Sequence, residues 1–424
     1  MKYNPTLHKL SNGVTVILDP MDIETVSAKV VFRTGMRDEK PNEYGLTHFC
    51  EHMLCKGTKS LPNKKAINDY MDYYGATRNA ATGIAEMGVY GRVLAENVNV
   101  LLGFFADQLQ NSLFDPDKIE IERGVICDER RRALDNPVRQ FGDFMSGKLF
   151  NYATFSMRGL GTEENIMSFT REQMLEFLGR RLSAKNCLIT MSGRLDNPMG
   201  VLDCLEKEFS FLPTHDVSEN REIVYTPTVA HNSLPDKKNV LLRILFPAVW
   251  PYDLEHRFNR MCCRRFERFM NEKIFNILRQ ENGLVYGGGL TSVGNENFEL
   301  RGFATETSPG NIKKVVALIA KNAYDIYNNL GITAEDLDRY NRKDRLGTAD
   351  WLESATSRCD TLSAEYIDYG LLYDYQETIR LYNSVTTADV RKYSRGYFDG
   401  AMSILTQGAD YDADLRAVWD ENFK

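Results

Sequence analysis

The chain has 424 residues, of which 43% are hydrophobic and 26% are charged, as in an ordinary folded protein. A net charge of −7 and a sequence pI near 5.6 argue against a nucleic-acid partner. No apolar stretch approaches the roughly 20 residues needed to span a bilayer, so no membrane anchor is expected. The length exceeds what one hydrophobic core usually serves, which predicts two domains.

The eight cysteines form no C-x-x-C pair, and most lie in apolar runs, where cysteine behaves as a small buried hydrophobe. The start of the chain has neither the basic-then-apolar pattern of a secretion signal nor an arginine-rich amphipathic helix. We therefore expect a reducing compartment and a cytoplasmic location.

The first half of the chain mixes strands with helices. Asn12-Gly13 between two strand-like runs is typical of a hairpin turn. Asp115-Pro116 is a good helix start, and this long helix is expected to stop before Pro137. The pattern predicts strands at 7–18, 25–34, 77–82, 87–93 and NCLITMSG, and helices at 45–56, 64–74, from AENVNVLLGFFADQLQNSL, 115–134 and 170–182.

A change in amino-acid composition marks the predicted domain boundary. Residues 213–236 carry three prolines and many small polar residues, so we predict domains at 1–212 and 237–424 joined by this linker. The second half suggests the strand NVLLRILFPAV, a helix at 254–280, strands at 285–291 and 297–304, further helices and the strand AMSILTQG. No residue-level repeat relates the halves. The order is not a regular strand–helix alternation, which favours the α+β class.

The sequence H-x-x-E-H lies inside the predicted helix at 45–56. At 3.6 residues per turn His48, Glu51 and His52 share one face, so both imidazoles can bind one zinc ion. Glu51 is then placed to take a proton from an attacking water molecule. The alternative is a surface helix with two solvated histidines. The apolar residues between the motif positions disfavour it, because unpaired histidines are costly in a buried helix.

Two histidines leave a catalytic zinc one protein ligand short. Glu122 and Glu129 lie two turns apart on the helix that begins at Pro116, and they share a face. One of them can bind the metal and the other can hold a ligand histidine. The residues alone leave this choice open. Glu120 and Asp128 fall on other faces and are better interpreted as solvated charges.

The segment GMRDEKPNEYGLTHFCEHMLCKGT resembles the signature of the pitrilysin/insulinase family, which includes mitochondrial processing peptidases. In that family the glutamate that completes the zinc site follows the second histidine by 77 residues, which leads from His52 to Glu129. The family's supporting glutamate lies seven residues earlier, at Glu122. The resemblance therefore implies one zinc ion per chain, held by His48, His52 and Glu129.

Two further segments match the family pattern. RNAAT at 78–82 resembles an edge strand on which substrate lies as an added β-strand, so Asn79 and Ala80 are candidate substrate-binding residues. LRQENGLVYGGG resembles the family's arginine and tyrosine spaced by seven, which are Arg279 and Tyr286 here. Both donate hydrogen bonds, which suits holding a scissile carbonyl and the oxyanion formed on it. The segment GIAEMGVYGRV departs from the aromatic-rich family pattern, which leaves substrate preference open.

The resemblance implies two similar domains, each a mainly antiparallel sheet covered by helices, that correspond to one half of the family's clamshell. The expected activity is zinc-dependent endopeptidase hydrolysis of unfolded peptides or presequence-like segments in an enclosed chamber. A homodimer with an active site shared between its chains is expected. The alternatives are a non-catalytic scaffold or partner subunit, which typically lacks motif residues, and the catalytic subunit of a heterodimer.

Overall fold

The structure is a computed structural model that describes residues 3–150, 159–218, 224–295 and 298–424. The chain divides into two compact units. The first unit comprises Met1–Asn136, Tyr152–Glu222 and Thr348–Tyr373, and the second comprises Pro137–Asn151, Ile223–Gly347 and Asp374–Lys424. The chain passes from the first unit to the second after residue 222, which lies inside the linker predicted at 213–236. The units are not continuous in sequence, however, because two segments are exchanged between them.

Eleven strands lie in the described part of the chain. They are β1 Thr6–Lys9, β2 Thr15–Pro20, β3 Thr25–Phe32, β4 Thr77–Thr82, β5 Met87–Leu94, β6 Cys187–Gly193, β7 Val229–Ser233, β8 Val240–Pro247, β9 Gly288–Asn295, β10 Phe298–Thr307 and β11 Ser403–Gly408.

The α-helices of the described part are α1 Leu46–Leu54, α2 Lys64–Tyr73, α3 Val98–Asn111, α4 Pro116–Asp135, α5 Pro137–Leu149, α6 Glu163–Ser168, α7 Arg171–Arg181, α8 Pro198–Phe209, α9 Arg257–Phe275, α10 Ile312–Asn328, α11 Ala334–Glu353, α12 Ala355–Tyr369, α13 Tyr375–Ser384, α14 Thr387–Tyr393 and α15 Leu415–Asn422. A π-helical segment, Asn276–Glu281, follows α9. In the residues that the structure describes, no helix combines the length and apolar character needed to cross a membrane.

The two units contain sheets of the same topology. The first sheet has the order β1-β2-β6-β3-β5-β4 and the second has the order β7-β11-β8-β10-β9. Strands β2 and β6 pair in parallel, as do β7 and β11, and the remaining pairs are antiparallel. Apart from β1, each strand of the first sheet therefore has a counterpart in the second. This confirms the α+β class with two similar, mainly antiparallel halves.

Each sheet packs a buried core against helices of its own unit. The core of the first unit includes Val30 and Phe32 of β3 with Phe49 of α1 and Phe105 of α3, all essentially inaccessible to solvent. Burial of such side chains is worth about 1.5–3 kcal/mol each, which fixes α1 on the sheet. The helix that carries the H-x-x-E-H motif is thus held by apolar contacts on one face.

The exchanged helix α12 is tied to the first sheet by a buried ion pair. The guanidinium of Arg358 donates to both carboxylate oxygens of Asp19 in β2, one of them at 2.7 Å, and neither side chain is exposed. The thiol of Cys359 donates to the Thr190 carbonyl of β6 at 3.2 Å. The expectation of a single continuous domain from 237 to 424 did not include this exchange, since periodicity does not reveal which sheet a helix covers.

Three local expectations differ from the structure. Strand β7 lies within the predicted linker. It joins the second sheet by pairing in parallel with β11, which is distant in sequence. A new helix, α5, begins at Pro137, because proline is well tolerated at the first helical position. Strand β9 begins at Gly288 rather than 285, so Tyr286 lies in the preceding loop. Residue 297, the predicted start of the next strand, lies outside the described residues.

Candidate metal centre

Helix α1 begins at a position that requires glycine. Gly45 has φ 96°, in the left-handed region, and a Cβ there would lie 2.7 Å from the Leu160 carbonyl oxygen. The buried carboxylate of Glu39 accepts hydrogen bonds from the backbone N–H groups of Gly45 at 3.0 Å and Thr47 at 2.8 Å. These contacts satisfy donors that the first turn leaves unpaired. The start of the motif helix is thereby fixed in position.

The two faces of α1 differ in chemistry. One face is buried and consists of Leu46, Thr47, Phe49, Cys50, Met53 and Leu54. His48, Glu51 and His52 are partly exposed on the other face, as the 3.6-residue period predicts. The helix packs against β4, α4 and α7. The contact with α4 brings the motif close to the two candidate glutamates.

Helix α4 is anchored at its start and along its length. The Asp115 side chain caps its first turn by accepting from the Asp117 N–H at 2.9 Å. Arg123 donates to the backbone carbonyls of Ile166, at 2.5 Å, and Phe169. These bonds fix the rotation of the helix, and with it the direction in which its carboxylates point.

The structure brings His48, His52 and Glu129 together. The Glu129 Oε2 atom lies 3.8 Å from His48 Nε2 and 3.6 Å from His52 Nε2, and the three ligand atoms lie within 4.8 Å of one another. A tetrahedral zinc ion with bonds of about 2.0–2.1 Å separates its ligand atoms by about 3.4 Å. The three side chains therefore fit a zinc ion, and a fourth position would be left for water or substrate.

Glu122 takes a different position from Glu129. Its carboxylate is buried and lies 2.9 Å from Nδ1 of His52, on the side of the ring away from Glu129. It also pairs with the ammonium of Lys56. Burial raises the pKa of the Glu122 carboxyl, but the hydrogen bonds from His52 and Lys56 outweigh this effect and hold the pKa below its usual value. An ionised Glu122 would keep the His52 proton on Nδ1 and leave Nε2 free to bind a metal.

Sequence reasoning missed Lys56 and Glu39. The helix predicted at 45–56 ends at Lys56, which lies one turn after His52 and so shares its face. That spacing is a signal from which its pairing with Glu122 could have been inferred. Glu39 offers no such signal, because its partners lie at the start of the next helix.

Besides Glu122, two further groups of the site have shifted pKa values. Burial, with a smaller effect of the neighbouring His52, lowers the pKa of His48 to about 3, so the ring is neutral at physiological pH. Neutral imidazole is the form that binds zinc. Burial also raises the pKa of the Glu51 carboxyl, and the charge of Glu129 adds to the rise. A raised pKa makes Glu51 a stronger base than an exposed glutamate.

Asn79 and Ala80 lie on β4, the edge strand of the first sheet. The Asn79 side chain is exposed, donates to the Tyr90 hydroxyl at 3.0 Å and accepts from the Ala80 N–H at 3.0 Å. Ala80 itself is buried. Strand β4 pairs with β5 along one edge, and no strand among the described residues pairs with its other edge.

Arg279 and Tyr286 belong to the second unit. Arg279 lies in the π-helical segment, and its guanidinium stacks 5.3 Å from the centre of the Tyr286 ring and 5.7 Å from that of Phe275. Tyr286 is 89% exposed, which rules out the role of a core aromatic. The two residues that the sequence pattern paired therefore lie in contact, and the tyrosine is exposed.

Matches to two protein-family models show the family of this chain. Residues 15–159 match the insulinase family, described as peptidase family M16, and residues 168–343 match the domain described as the peptidase M16 inactive domain. The chain belongs to peptidase family M16. Its metal-binding candidates all lie in the first of the two matched ranges.

Relatives of this M16 chain carry protease names. An uncharacterized zinc protease of Rickettsia bellii is 26% identical over 96% of this chain and 98% of its own length. The YmxG zinc protease of Bacillus subtilis, also uncharacterized, is 29% identical over 44% of this chain and 46% of its own. The mitochondrial-processing peptidase subunit beta of Dictyostelium discoideum is 29% identical over 50% of this chain and 45% of its own. The chain is thus similar to zinc proteases and to a processing-peptidase subunit.

Solved structures share the fold of this M16 chain. The first half of the periplasmic protease PqqL from Escherichia coli superposes with a TM-score of 0.82 at 18% identity, covering 99% of this chain and 97% of that one. The complete PqqL is covered over 51% of its length. A protease from Helicobacter pylori gives a TM-score of 0.82 at 17% identity, covering 96% of this chain and 100% of that one. The fold is therefore that of half of a longer family member.

Proposed function

We propose that this chain is a zinc-dependent endopeptidase that hydrolyses unfolded peptides or presequence-like segments in an enclosed chamber. The observation that carries the proposal is the convergence of His48, His52 and Glu129, with ligand atoms 3.6 and 3.8 Å from the Glu129 oxygen. The names of the zinc-protease relatives support it. One zinc ion per chain is proposed, because one group of this kind is found among the described residues.

Each residue has a proposed role. The chemistry that zinc supplies when bound is polarisation of the scissile carbonyl and a lower pKa for water. Glu51 accepts a proton from the attacking water and delivers it to the leaving amine. Tyr286 and Arg279 donate hydrogen bonds to the oxyanion. Glu122 holds the His52 ring in the orientation needed for metal binding.

Substrate binding is proposed at the open edge of β4. A peptide added there as a strand would be held by backbone hydrogen bonds, which give affinity without reading sequence. Asn79 and Ala80 would fix its placement along the strand. This mode suits unfolded segments, because in a folded protein most backbone N–H and C=O groups are already paired.

The proposal is tested by metal content and peptide turnover. We expect about one equivalent of zinc per chain and hydrolysis of a quenched fluorescent peptide. Dialysis against a chelator should abolish turnover, and added zinc should restore it, while circular dichroism before and after shows that the fold is kept. Undiminished turnover by the metal-free protein would contradict the proposal.

We further propose a homodimer with a shared active site. The chain matches half of the longer protease PqqL, and its zinc candidates and its Arg279/Tyr286 pair lie in different units. A two-fold dimer would then join the metal site of one chain to the arginine and tyrosine of the other. The processing-peptidase relatives are named as subunits, so a heterodimer with a different partner is the alternative.

Mixing two inactive variants tests the shared site. Glu51→Gln and Tyr286→Phe are each expected to be nearly inactive. When subunits exchange, about half of the dimers are mixed, and one of the two sites in each mixed dimer is intact. Activity should then return to about a quarter of that of the unaltered protein.

The control is the same mixing procedure applied to two preparations of Tyr286→Phe, which should recover no activity. Subunit exchange is demonstrated separately with differently labelled chains. If exchange occurs and the mixed variants stay inactive, each site lies within one chain and the shared-site proposal is wrong.

Catalytic activity and a cytoplasmic location are both proposals for this chain. A non-catalytic scaffold role would require the loss of motif residues, and all of them are present in this chain. A cytoplasmic location is supported by eight free thiols, six of them buried, since a reducing compartment preserves them.

A further inference from the structure

An open groove lies on the second unit beside Tyr286. Its volume is about 930 Å³, and its walls come from β8, β9, β10 and the loop before β9. Besides Tyr286 and the small residues at Gly287–Gly289, the lining includes Arg243, Ala304 and Glu306. The groove is large enough to hold several residues of an extended peptide.

Arg243 occupies an unusual place in β8. Its neighbours Leu242 and Ile244 are buried in the core, so strand alternation directs Arg243 to the opposite face, where its guanidinium stacks 5.5 Å from the centre of the Phe141 ring. It donates to the adjacent Leu242 carbonyl at 3.0 Å. Within the described residues no carboxylate forms an ion pair with it.

Another arginine of the same sheet, Arg301, differs from Arg243 because it has carboxylate partners. Arg301 on the neighbouring strand β10 is also largely buried, and its guanidinium pairs with the carboxylates of both Glu267 and Glu299. Arg243 is likewise only partly exposed, but within the described residues it has no such partner, and partial burial lowers the pKa of its guanidinium. Partial burial of a cation without an ion pair costs free energy, and among the described residues the Phe141 stacking and the Leu242 hydrogen bond are what offset this cost.

An anion from outside the chain would supply the missing counter-charge. The planar guanidinium fork matches the two oxygens of a carboxylate, which makes arginine suited to recognising this group. Small residues beside it leave its approach open: Ala304 pairs with Arg243 in the neighbouring strand, and Gly289 pairs with Ala304 beyond it. The lining of the groove thus includes both the exposed Tyr286 and a half-buried cation.

We propose that Arg243 binds a carboxylate of the substrate peptide, either an acidic side chain or the free C-terminus. This inference rests on the proposed peptidase function, because it is a peptide held by Tyr286 that would lie in the groove. Arg243 would then determine specificity by favouring peptides whose carboxylate reaches the groove when they are bound.

Glu306 limits what the groove accepts. Its carboxylate also lines the groove and accepts from the Asn239 amide at 2.7 Å. A second carboxylate close to Glu306 would be repelled. We therefore expect the groove to hold one carboxylate near Arg243 and to disfavour an acidic pair.

Peptide binding to the zinc-loaded Glu51→Gln variant tests the proposal, since bound peptide is not consumed. The probes are fluorescent, amidated Ala/Ser peptides in which one glutamate is moved residue by residue, the same peptide without glutamate, and the glutamate-free peptide with a free C-terminus. At least one carboxylate-bearing peptide should bind about 10-fold more tightly than the neutral amide. The glutamate series and the free-acid peptide distinguish the two sources of carboxylate.

Arg243→Gln added to the same background should reduce this preference to about one. Arg243→Lys should keep part of it, because the charge remains and the fork is lost. Lys238→Gln is the matched control: Lys238 is exposed, lies five residues away and is outside the groove lining, so its loss should leave the preference unchanged. Thermal unfolding of Arg243→Gln at the same or a higher temperature would exclude misfolding, since a half-buried charge without an ion pair has been removed.

Two outcomes overturn the inference: equal binding of all carboxylate and neutral peptides, or a preference that persists in Arg243→Gln. If Arg243→Gln failed to fold, the peptide series on the Arg243-containing protein would still decide by the first criterion. Hydrolysis by the unaltered protein separates this result from the peptidase function. Hydrolysis without carboxylate preference refutes the groove alone, whereas preference without hydrolysis of any peptide refutes the peptidase function.

Discussion

Glu51→Gln is expected to keep normal zinc content and to lose peptide hydrolysis by about 10²–10⁴-fold. Glutamine is nearly isosteric with glutamate, so the partly exposed position on α1 tolerates it, but its amide cannot accept a proton from water. Burial raises the pKa of the Glu51 carboxyl, which indicates an environment suited to a base. The measurements are zinc per chain by atomic absorption and kcat/KM on a quenched peptide.

The control for this substitution is Glu120→Gln on α4. Glu120 has a 68% exposed side chain and pairs with Arg123, so its loss should leave both zinc content and kcat/KM within about twofold of the unaltered protein. Loss of zinc in Glu51→Gln would make Glu51 a ligand and refute its role as the base.

Glu129→Gln should strip zinc from the protein or weaken its binding greatly, because it removes one of three converging ligand atoms. Glu122→Gln should weaken zinc binding more mildly, by about 10–100-fold, since Glu122 contacts His52 and not the other ligand atoms. The buried Lys56 pairing would also be lost in Glu122→Gln, so this variant should show the larger fall in thermal stability of the two.

Zinc affinity is measured by competition with a coloured chelator. Asp128→Asn is the matched control, because Asp128 precedes Glu129 on the same helix but is exposed and paired with Arg131. Its zinc affinity should be unchanged. The reverse order of zinc retention in the two glutamine variants would show that the 77-residue spacing was carried over to the wrong glutamate.

The sequence alone predicts which residues of the site share a helix face. The spacing of His48, Glu51 and His52 places them on one helix face, and the spacing of Glu122 and Glu129 does the same on α4. Such faces are set by the period of the helix, which needs no knowledge of distant contacts. Which glutamate faces the histidines depends on how α4 is rotated against α1, and the residues alone left it open. The family spacing suggested Glu129, and the structure places that carboxylate beside both rings.

The network around the site was not predictable in the same way. Glu39 caps α1 through backbone groups, and Lys56 reaches Glu122 across two helices. Neither contact follows from a repeating pattern, because each depends on where loops and helix ends come to lie. Arg243 is the extreme case: the positions of Phe141 and the surrounding strands show that it is half-buried and, among the described residues, has no carboxylate in an ion pair with it.

By itself the sequence determined the class of the fold, the helix face that carries the candidate zinc ligands and most element positions, since local periodicity and spacing encode them. The tertiary structure alone decided that α5 and α12 are exchanged between the units, that β7 joins the second sheet, and that the two sheets share one strand order. These features rest on contacts between residues hundreds of positions apart, such as Arg358 with Asp19. A contact of that kind leaves no periodic trace in either segment, so it becomes visible only when the chain is folded.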